Sequence, residues 1–289
     1  MNLPVEGSSV LETVGRRGRL SYEFERAGPR TILTRSSCSS PWHYFPPSYL
    51  DDSGCAYTWL VNPSGGLVGG DHVSVEARLH AGTHVLITSP SANRVYRSLS
   101  EPAVQEVRLL VGPDARLEWV PEVTIPFAGS CFRQLIHVDL ALGATVVLWD
   151  AIASGRVAMR ERWAFAAVEN EIRIRTPLGG SVVERYRVVP GRLPESVGLV
   201  GGWDYVASFF IIGDAVDADV WKHLEGVLAA ILEQWPGLVL GAVSTPAAPG
   251  LVVKLVARSA PDLRATLEAL WAAVREGLWN LPAPNLRRY

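Results

Sequence analysis

Short stretches of alternating apolar and polar residues recur along the first two hundred positions of the chain. Residues 20–24 form one such run, with apolar side chains at every second position, and residues 73–79 form another. Side chains two positions apart lie on the same face of a β-strand, and turn residues separate these runs. The pattern therefore predicts β-structure over residues 1–203.

A different pattern begins near residue 204. Apolar residues recur every three or four positions behind Asp217, and Pro236-Gly237 ends that run. A second run with helical spacing begins after Ser259. The predicted elements are a strand at 205–212, a helix at 217–235, strands at 238–243 and 251–257, and a helix from 259 onward. Because no linker interrupts the chain, we expect a single domain over 1–289, β-rich over 1–203 and mixed α/β over 204–289.

An internal repeat underlies the β-rich part. Gly82, Gly112 and Gly143 each follow a predicted strand and lie 30 and 31 residues apart. Three positions before these glycines stand Leu79, Leu109 and Leu140. Strand–turn–strand units with a period of about 30 residues favour stacked coils, as in a β-solenoid or a flattened relative of one. The alternative is an antiparallel sandwich. The predicted fold class is mainly β, with stacked strands and two helices in the C-terminal third.

Three unusual segments follow the repeated glycines at similar distances, at residues 88–98, 118–127 and 149–161. If the repeat holds, these segments leave equivalent strand ends and gather on one side of the stack. Functional residues are commonly carried on loops that a rigid scaffold positions. We therefore expect the functional face of the protein on that side.

Composition narrows the classes of partner. The chain has 289 residues, 48% of them hydrophobic and 19% charged, with a formal net charge of -2. This balance allows a large core and gives no reason to expect a nucleic-acid partner. No apolar run approaches the roughly 18 residues of a membrane span, and no signal peptide is evident. Three cysteines without a CxxC pair suit a reducing compartment, so we expect a cytoplasmic protein.

A dense glycine block at residues 62–71 ends on Asp71 and leads into a predicted strand. It lacks the Gly-Lys-Ser/Thr of a phosphate-binding loop and the following helix of a dinucleotide fingerprint. Glycines in this setting favour tight turns or close backbone approach. The histidines show no HExxH spacing, and no GxSxG elbow is present. The residues by themselves indicate no catalytic centre.

These same segments resemble the urease accessory protein D family, called H in some bacteria. The matching motifs, in the family's order, are Asn62-Pro63 with Gly65-Gly66-Leu67-Val68-Gly69-Gly70-Asp71, Thr88 with Arg94-Val95-Tyr96-Arg97-Ser98, Glu118-Trp119-Val120-Pro121 with Thr124-Ile125 and Phe127, and Gly155-Arg156 with Glu161. The candidate binding residues that the resemblance implies are Gly65, Gly66, Gly69, Gly70, Arg94, Tyr96, Arg97, Glu118, Trp119, Pro121, Gly155 and Arg156.

The chain departs from the family pattern at two positions. The family usually has Lys where this chain has Arg94, which keeps the charge but alters donor geometry. A family Glu falls on Val123, so its role cannot be carried to that position, and the neighbouring Glu122 is a candidate substitute. A one-residue shift along a strand points the side chain to the other face. Whether Glu122 replaces the family Glu is therefore left open by the sequence.

The resemblance implies a non-enzymatic scaffold for urease maturation. Family members form a complex with the urease apoprotein and with accessory proteins F and G, the latter a GTPase. Together they assist GTP-dependent incorporation of nickel into the urease active site. The resemblance thus predicts no tightly bound cofactor, with nickel only in transit. We expect the C-terminal helices and residues 279–289 to contact the F protein, because a scaffold keeps apolar patches for its partners.

A nickel route is predicted from ligand chemistry. A cation in transit needs ligands that release it, and carboxylates suit this better than thiolates. The hypothesis is that Asp71, Glu122 and Glu161 line a wet polar passage, with their charge balanced by Arg94, Arg97 and Arg156. The alternative is that these acids and arginines form structural ion pairs.

A second function class remains open at this point. β-Solenoids commonly act on carbohydrate, and the ten tryptophans of the chain offer stacking platforms. Asp71, Glu118, Glu122 and Glu161 would then serve as paired carboxylates of a carbohydrate-binding or carbohydrate-cleaving protein.

Overall fold

The computed structural model describes residues 17–177, 179–190 and 202–286. Its strands are β1 (Arg17–Ala27), β2 (Arg30–Cys38), β3 (Ala56–Trp59), β4 (His72–Leu79), β5 (His84–Thr88), β6 (Asn93–Val95), β7 (Ala103–Val111), β8 (Arg116–Val120), β9 (Thr124–Pro126), β10 (Cys131–Leu140), β11 (Thr145–Ala153), β12 (Ala167–Arg175), β13 (Ser181–Val188), β14 (Tyr205–Gly213), β15 (Val239–Ser244) and β16 (Gly250–Ala257). Its helices are a 3-10 turn (Val157–Met159), α1 (Ala218–Leu232) and α2 (Ala260–Trp279).

Two large sheets form the body. The seven-stranded sheet has the order β13-β12-β10-β7-β4-β1-β2. In the nine-stranded sheet seven strands have the order β15-β16-β14-β11-β8-β5-β3, and the two short strands β9 and β6 branch from it, β9 pairing with β11 and β6 with β9. The chain passes from one sheet to the other three times in the same way, from β4 to β5, from β7 to β8 and from β10 to β11. Equivalent strands then pair in parallel. This confirms the predicted fold class of a mainly β, stacked-coil protein with two helices in its C-terminal third.

The strands of successive coils pair in a register different from the one that the glycine spacing predicted. The sequence suggested that Leu79, Leu109 and Leu140 are equivalent. Instead Leu79 pairs with Val111, and Val111 pairs with Leu140. The true repeat is therefore 32 residues and then 29. The error amounts to two residues, so the same side chains still face the core.

The tight turn of each coil explains this difference. Three residues past the strand end, the backbone takes a positive φ of 67° at Gly82, 55° at Asp114 and 76° at Gly143. Asp114 thus occupies the position that glycine occupies in the other two turns, since Asp tolerates the left-handed region better than most residues. The prediction that Gly112 is the equivalent glycine is wrong.

Among the described residues, buried hydrophobic side chains form three clusters, and the two largest make two layers. The inner layer lies between the sheets and includes Phe24, Trp119 and Phe210. The outer layer lies between the nine-stranded sheet and the helices and includes Trp149 and Trp271. The C-terminal strands β14, β16 and β15 extend the sheet begun by the coils, so both helices pack on a surface that the β-rich part helps to build. Among the described residues, no helix is long and apolar enough to cross a membrane.

Both helices begin at the predicted signals. α1 follows Asp217, and α2 follows Ser259, whose hydroxyl accepts a hydrogen bond from the Asp262 backbone N–H at 3.3 Å. Pro261 lies in the first turn of α2. Backbone N–H groups in this turn have no acceptor within the helix, so proline, which lacks an N–H, costs no hydrogen bond there. An N-cap of this kind stabilises a helix by about 1 kcal/mol.

Replacing Gly226 by Ala is expected to stabilise the protein. Gly226 lies on the exposed side of α1, and a Cβ there would meet no atom within 4 Å. Alanine in a helix interior is favoured over glycine by about 0.5–1 kcal/mol. The midpoint of urea denaturation should rise accordingly. Gly241→Ala is the contrast, because its Cβ would lie 2.9 Å from that of Leu255 and should destabilise. A loss of stability in Gly226→Ala would contradict the packing of α1.

Candidate functional site

The loops that carry the family motifs gather at one end of the coil stack. They comprise residues 62–71, 94–101, 126–130 and 155–165, which together we call the loop face. Each segment connects the nine-stranded sheet back to the seven-stranded sheet, whereas the tight turns of the coils lie at the opposite end. The unusual segments follow β5, β8 and β11, which are parallel neighbours in the nine-stranded sheet, so they leave the stack on the same side, as expected.

Backbone hydrogen bonds join the four segments into one surface. The Gly70 N–H donates to the Pro102 carbonyl at 3.2 Å, beside the second segment. The Ser98 N–H donates to the Gly129 carbonyl at 3.2 Å, and the Gly129 N–H donates to the Ala164 carbonyl at 2.9 Å. Backbone contacts of this kind hold each loop against the next, so the loop face is a continuous surface.

The glycine block allows its neighbours to approach closely. A Cβ on Gly66 would collide with the backbone carbonyl of Arg94 and would lie 2.7 Å from the Tyr96 ring. A Cβ on Gly69 would lie 2.8 Å from the Ser98 Cα. The block therefore supplies space for packing between loops, as its sequence suggested. The two glycines of the block with positive φ are Gly65 and Gly70.

Aromatic and charged side chains pack at the centre of the loop face. The rings of Tyr96 and Phe127 meet edge to face with 5.0 Å between centroids, and the Arg156 guanidinium lies 4.6 Å from the Phe127 ring centre. Arg156 also pairs with Glu161, whose Oε1 accepts the Ala128 N–H at 2.7 Å. The hydrogen bond from Arg156 holds the pKa of Glu161 below its ordinary value. Glu161 thus has the ion pair that the structural alternative anticipated.

The other two predicted route acids also have partners. The Asp71 carboxylate accepts the Val68 N–H at 2.8 Å across a turn. The Glu122 carboxylate lies 3.3 Å from the guanidinium of Arg264 on α2. Glu122 also lines the internal cavity described next. A passage through Asp71, Glu122 and Glu161 stays a prediction.

Two further motif residues have structural contacts. Gly155 has a φ of 145°, and a Cβ there would lie 2.7 Å from the Glu161 carbonyl. The Pro121 carbonyl accepts a hydrogen bond from the Trp149 indole at 2.6 Å. Arg94 and Arg97 project from the loop face, where both are exposed.

A cavity of about 90 Å³ with a mixed polar and apolar lining lies beside the glycine block of the loop face, and we call it the polar cavity after its polar side chains. That volume has room for several water molecules. Gly65 and Gly66 form part of its wall on the loop side, and Trp119 contributes from the inner core. The polar side chains in its wall are Asn62, Ser89, Ser91, Asn93, Gln105, Glu122, Thr124, Gln134 and Asp150.

An amide ladder crosses the inner face of the seven-stranded sheet at this cavity. Gln105, Gln134 and Asn170 are register partners on β7, β10 and β12. The Gln105 amide donates to the Gln134 Oε1 at 3.0 Å, and the Gln134 amide donates to the Asp150 Oδ1 at 2.8 Å. The Asn170 amide donates to the other Asp150 oxygen at 2.9 Å. A buried carboxylate is thus held by neutral donors.

Burial sets the proton affinity of this group. Desolvation raises the pKa of Asp150, although the hydrogen bonds from Gln134 and Asn170 oppose the shift. Nearby, burial lowers the pKa of Lys254 to about 8, against the attraction of Asp150. Lys254 pairs with Glu184 and donates to the Ser208 hydroxyl at 2.9 Å. The Asp150 carboxylate, one of two in the cavity wall, therefore lies near a cation whose charge is itself weakened by burial.

Sequence reasoning missed the amide ladder, although a signal was present. In β7, β10 and β12 the side chains that point into the core are apolar, apart from one amide in each strand. That amide is the second inward-pointing residue of its strand. A polar residue repeated at one register position of an apolar strand face is expensive unless it is hydrogen-bonded. Aligning the strands by register instead of by glycine would have brought Gln105, Gln134 and Asn170 together.

Glu118 lies elsewhere, beneath α2 on the outer side of the nine-stranded sheet. Its carboxylate is fully buried and accepts hydrogen bonds from the His84 Nε2 at 2.7 Å, from the Trp271 indole at 2.5 Å and from Arg275. Arg275 in turn lies 3.2 Å from the Asp51 carboxylate. We call these five residues the Glu118 cluster.

The Glu118 cluster does not fit a metal ion. Ligand atoms of Cys55, His84 and Glu118 lie within 4.8 Å of one another. However, the guanidinium of Arg275 already neutralises Glu118 and would repel a cation. Burial also raises the pKa of the Cys55 thiol well above its ordinary value, so the thiol stays protonated. The chemistry of the donors therefore makes this cluster a structural ion pair.

The described part of the C-terminal tail packs on its own domain. The Tyr57 hydroxyl donates to the Leu286 carbonyl at 3.0 Å, and the Arg275 guanidinium donates to the Pro282 carbonyl at 2.9 Å. Residues 287–289 lie outside the described residues. The expected contact of this tail with the F protein is untested and stays a prediction.

The carbohydrate alternative gains no support from the arrangement of these groups. Trp119, Trp149 and Trp271 are fully buried, so they offer no stacking surface to a glycan. Glu118 is enclosed beneath α2 and cannot act with Asp71 or Glu161 on the loop face.

The stacked-coil body thus presents one surface of packed loops, with a cavity beside it, at the end of the stack where the motif segments meet. A family model described as UreD urease accessory protein matches residues 16–289. Similar curated proteins are named urease accessory protein UreD in Deinococcus radiodurans (36% identity, covering 96% of this chain and 97% of that protein) and in Herpetosiphon aurantiacus (32%, covering 94% and 95%). Urease accessory protein UreD 2 of Streptomyces griseus subsp. griseus is 31% identical, covering 94% and 93%. The chain belongs to the UreD urease accessory protein family.

Proposed function

We propose that this protein is a cytoplasmic, non-catalytic scaffold for urease maturation. It binds the urease apoprotein together with accessory proteins F and G and assists GTP-dependent incorporation of nickel into the urease active site. Support for a maturation role comes from membership of a family whose members are named urease accessory proteins. GTP chemistry belongs to the G partner, because the glycine block lacks the sequence of a phosphate loop.

The polar cavity is the observation that carries the nickel part of this proposal. It is lined by carboxylate and amide oxygens from Asp150, Glu122 and Gln134. Oxygen ligands bind divalent nickel less tightly than thiolates, which suits a cargo that must leave again. The nickel route that we propose runs from the loop face, past Asp71 and Glu161, to Glu122 and Asp150.

The charge of the cavity also favours transit over storage. The Asp150 oxygens accept hydrogen bonds from Gln134 and Asn170, and Lys254 attracts Asp150 electrostatically. A nickel ion can replace the protons or the amide donors of Asp150, but the amides and the lysine compete with it. Binding at such a site is weaker than in a dedicated cage of carboxylates, so release to the next protein costs less free energy.

The test is a charge-removing variant that preserves shape. Asp150→Asn removes the carboxylate but leaves the cavity volume unchanged. In cells that co-express the urease structural and accessory proteins, the complex with urease should still assemble. The nickel content of the purified urease and its activity should both fall several-fold. Glu106→Gln on the exposed outer sheet face is the matched control and should change neither quantity.

Three outcomes separate the parts of the proposal. Full nickel content in Asp150→Asn and Glu122→Gln would remove the cavity from the route. Asp71→Ala or Glu161→Ala variants that fold, bind urease and activate it fully would remove those acids from the route. If the wild-type protein associates neither with urease nor with the F protein, the scaffold function itself is wrong.

A further inference from the structure

We propose that strand β15 is a dimerisation edge, along which a second copy of this chain continues the nine-stranded sheet across a two-fold axis. β15 is the last strand of that sheet, and among the described strands it pairs with β16 alone. Its open backbone groups, its lack of charge and its uncovered apolar face each favour this pairing.

The free edge of β15 carries backbone groups without a partner strand. In an antiparallel ladder the N–H and C=O of one residue point to the same side, and successive residues alternate. The Leu238 carbonyl, just before β15, accepts the Arg258 N–H at 3.0 Å, so the even-numbered positions of β15 bond to β16. The N–H and C=O groups of Gly241 and Val243 therefore point away from β16, along the free edge. Within residues 17–177, 179–190 and 202–286 no other strand pairs with this edge.

The other strands that end the two large sheets are protected, whereas β15 is not. β2 carries Arg35, and β13 carries Arg185 and Arg187. Ser48 covers β3 by pairing with Tyr57. β15 contains neither a charged residue nor a proline, and its register with β16 has no bulge. Charge, proline, bulges and cover are the means by which edge strands avoid pairing with another chain, so β15 is the edge most open to it.

The face of β15 that looks toward the seven-stranded sheet is uncovered. Leu240 is 62% exposed, and it pairs with Val256 on the same face of the sheet as Val252 of the inner layer. The seven-stranded sheet ends on β13, whose Glu184 pairs with Lys254 of β16, the strand before β15. β15 therefore extends past the last strand of the opposite sheet. A second copy would shield Leu240, and complete burial of a leucine side chain contributes about 1.5–3 kcal/mol.

The backbone and the side chains of β15 are complementary to a second copy of the same strand. A two-fold axis at Gly241 places this residue opposite its equivalent in the second copy, where the two exchange N–H···O=C bonds. In this register Val239 faces Val243 and Leu240 faces Ala242, all of them uncharged. A strand from a different protein is normally selected by side-chain pockets or charges beside the edge, and β15 itself has no charge to make that selection. The occupant that this edge fits is therefore a second copy of the chain.

The size of the interface sets how the dimer behaves. One strand of 6 residues from each copy makes a small protein interface, so we expect a dimer that dissociates on dilution. A two-fold pair uses the β15 edges of both copies, so association through this edge stops at the dimer.

Sedimentation velocity of the purified full chain between about 1 and 100 μM tests this pairing in the range where a small interface dissociates. The wild type should shift from monomer to dimer as its concentration rises. Leu240→Lys should weaken dimerisation about tenfold or more, because each dimer would contain two charges in a contact that is apolar in the wild type. Leu142→Lys is the matched control, since Leu142 is 65% exposed in the tight turn between β10 and β11, and it should dimerise as the wild type does.

A mixing experiment checks that the partner is a second copy in the stated register. Leu240→Lys and Ala242→Glu should each dimerise weakly alone. An equimolar mixture should recover the dimer, because the introduced ammonium group of one copy faces the introduced carboxylate of the other. Circular dichroism should show that all variants are folded.

Several results would overturn the inference. A wild-type chain that stays monomeric at the highest concentration, a dimer that Leu240→Lys leaves intact, or a mixture that recovers no dimer would each do so. A monomeric chain whose binding to urease or to the F protein is lost in Leu240→Lys would assign the edge to that partner and not to a second copy. The sedimentation results leave the scaffold function untouched, because they are measured on the chain without its partners.

Discussion

Replacing Arg275 by Met should lower the free energy of unfolding by about 3–5 kcal/mol, the usual cost of leaving a buried charge unpaired. Arg275 is fully buried and pairs with Glu118, which is fully buried as well. It also lies 3.2 Å from Asp51 and donates to the Pro282 carbonyl at 2.9 Å. Met fills a volume similar to that of Arg, so the loss of stability reports mainly on the removed charge and its hydrogen bonds. Urea denaturation at neutral pH is the measurement.

The matched control is the other ion pair of α2. Arg264 lies 3.3 Å from Glu122, and its side chain is 44% exposed. Arg264→Met should cost less than about 1 kcal/mol, as expected for an exposed pair. Adding Glu118→Gln to Arg275→Met should recover part of the stability, because it removes the unpaired carboxylate. Equal costs for both arginine variants would contradict the buried ion pair.

The same cluster predicts how stability depends on pH. Burial by itself raises the pKa of Glu118, but the hydrogen bond and charge of His84, together with Arg275 and Trp271, bring it below the ordinary value. The folded protein therefore binds the proton less readily than the unfolded chain does. The stabilisation is present above the unfolded pKa and is lost as pH falls through the folded one. Glu118→Gln should flatten this part of the profile.

Gly66→Ala should disrupt the loop face and with it the binding of partners. The added Cβ would collide with the Arg94 carbonyl and lie 2.7 Å from the Tyr96 ring, so two loops must separate. Overpacking of this kind costs about 1–3 kcal/mol. In addition, moving the segment that carries Arg94 should weaken the complex with urease or accessory proteins, as measured by pull-down at a temperature where the variant is folded.

A different glycine separates backbone strain from steric collision. Gly28 has a φ of 57°, and a Cβ there would meet nothing within 4 Å. Gly28→Ala should therefore cost about 1–2 kcal/mol through its left-handed backbone and leave partner binding unchanged. If Gly66→Ala binds its partners as well as Gly28→Ala does, close packing of the glycine block is not needed for docking.

Local patterns in the sequence predicted the elements well. The alternation in the β-rich part and the capping residues Asp217 and Ser259 placed strands and helices close to their observed bounds. Such signals depend on neighbouring residues, whose side chains fall on one face of the same element. The stacked-coil class followed from a different signal, the recurrence of strand–turn–strand units about every 30 residues.

Contacts between distant segments of the chain were harder to predict from the sequence. The glycine spacing misjudged the register because Asp114 takes the backbone conformation that glycine takes in the other turns. Glu118 was recognised by motif, but its partner Arg275 lies 157 residues further along the chain. No local pattern links those two residues, and only the packing of α2 on the sheet brings them together. The amide ladder was missed for a related reason, since it is visible only in the correct register.

The ends of the coil stack bear on how this protein assembles. In the seven-stranded sheet the parallel strands β1, β4, β7, β10 and β12 are flanked by antiparallel β2 and β13, and in the nine-stranded sheet antiparallel β14 closes one side of the parallel set. An open parallel solenoid can add another copy end to end and grow into a fibre. At these three boundaries the neighbour of the last parallel strand is a reversed strand of the same chain, which occupies the edge that a further coil would need. The parallel coils therefore do not continue past these boundaries.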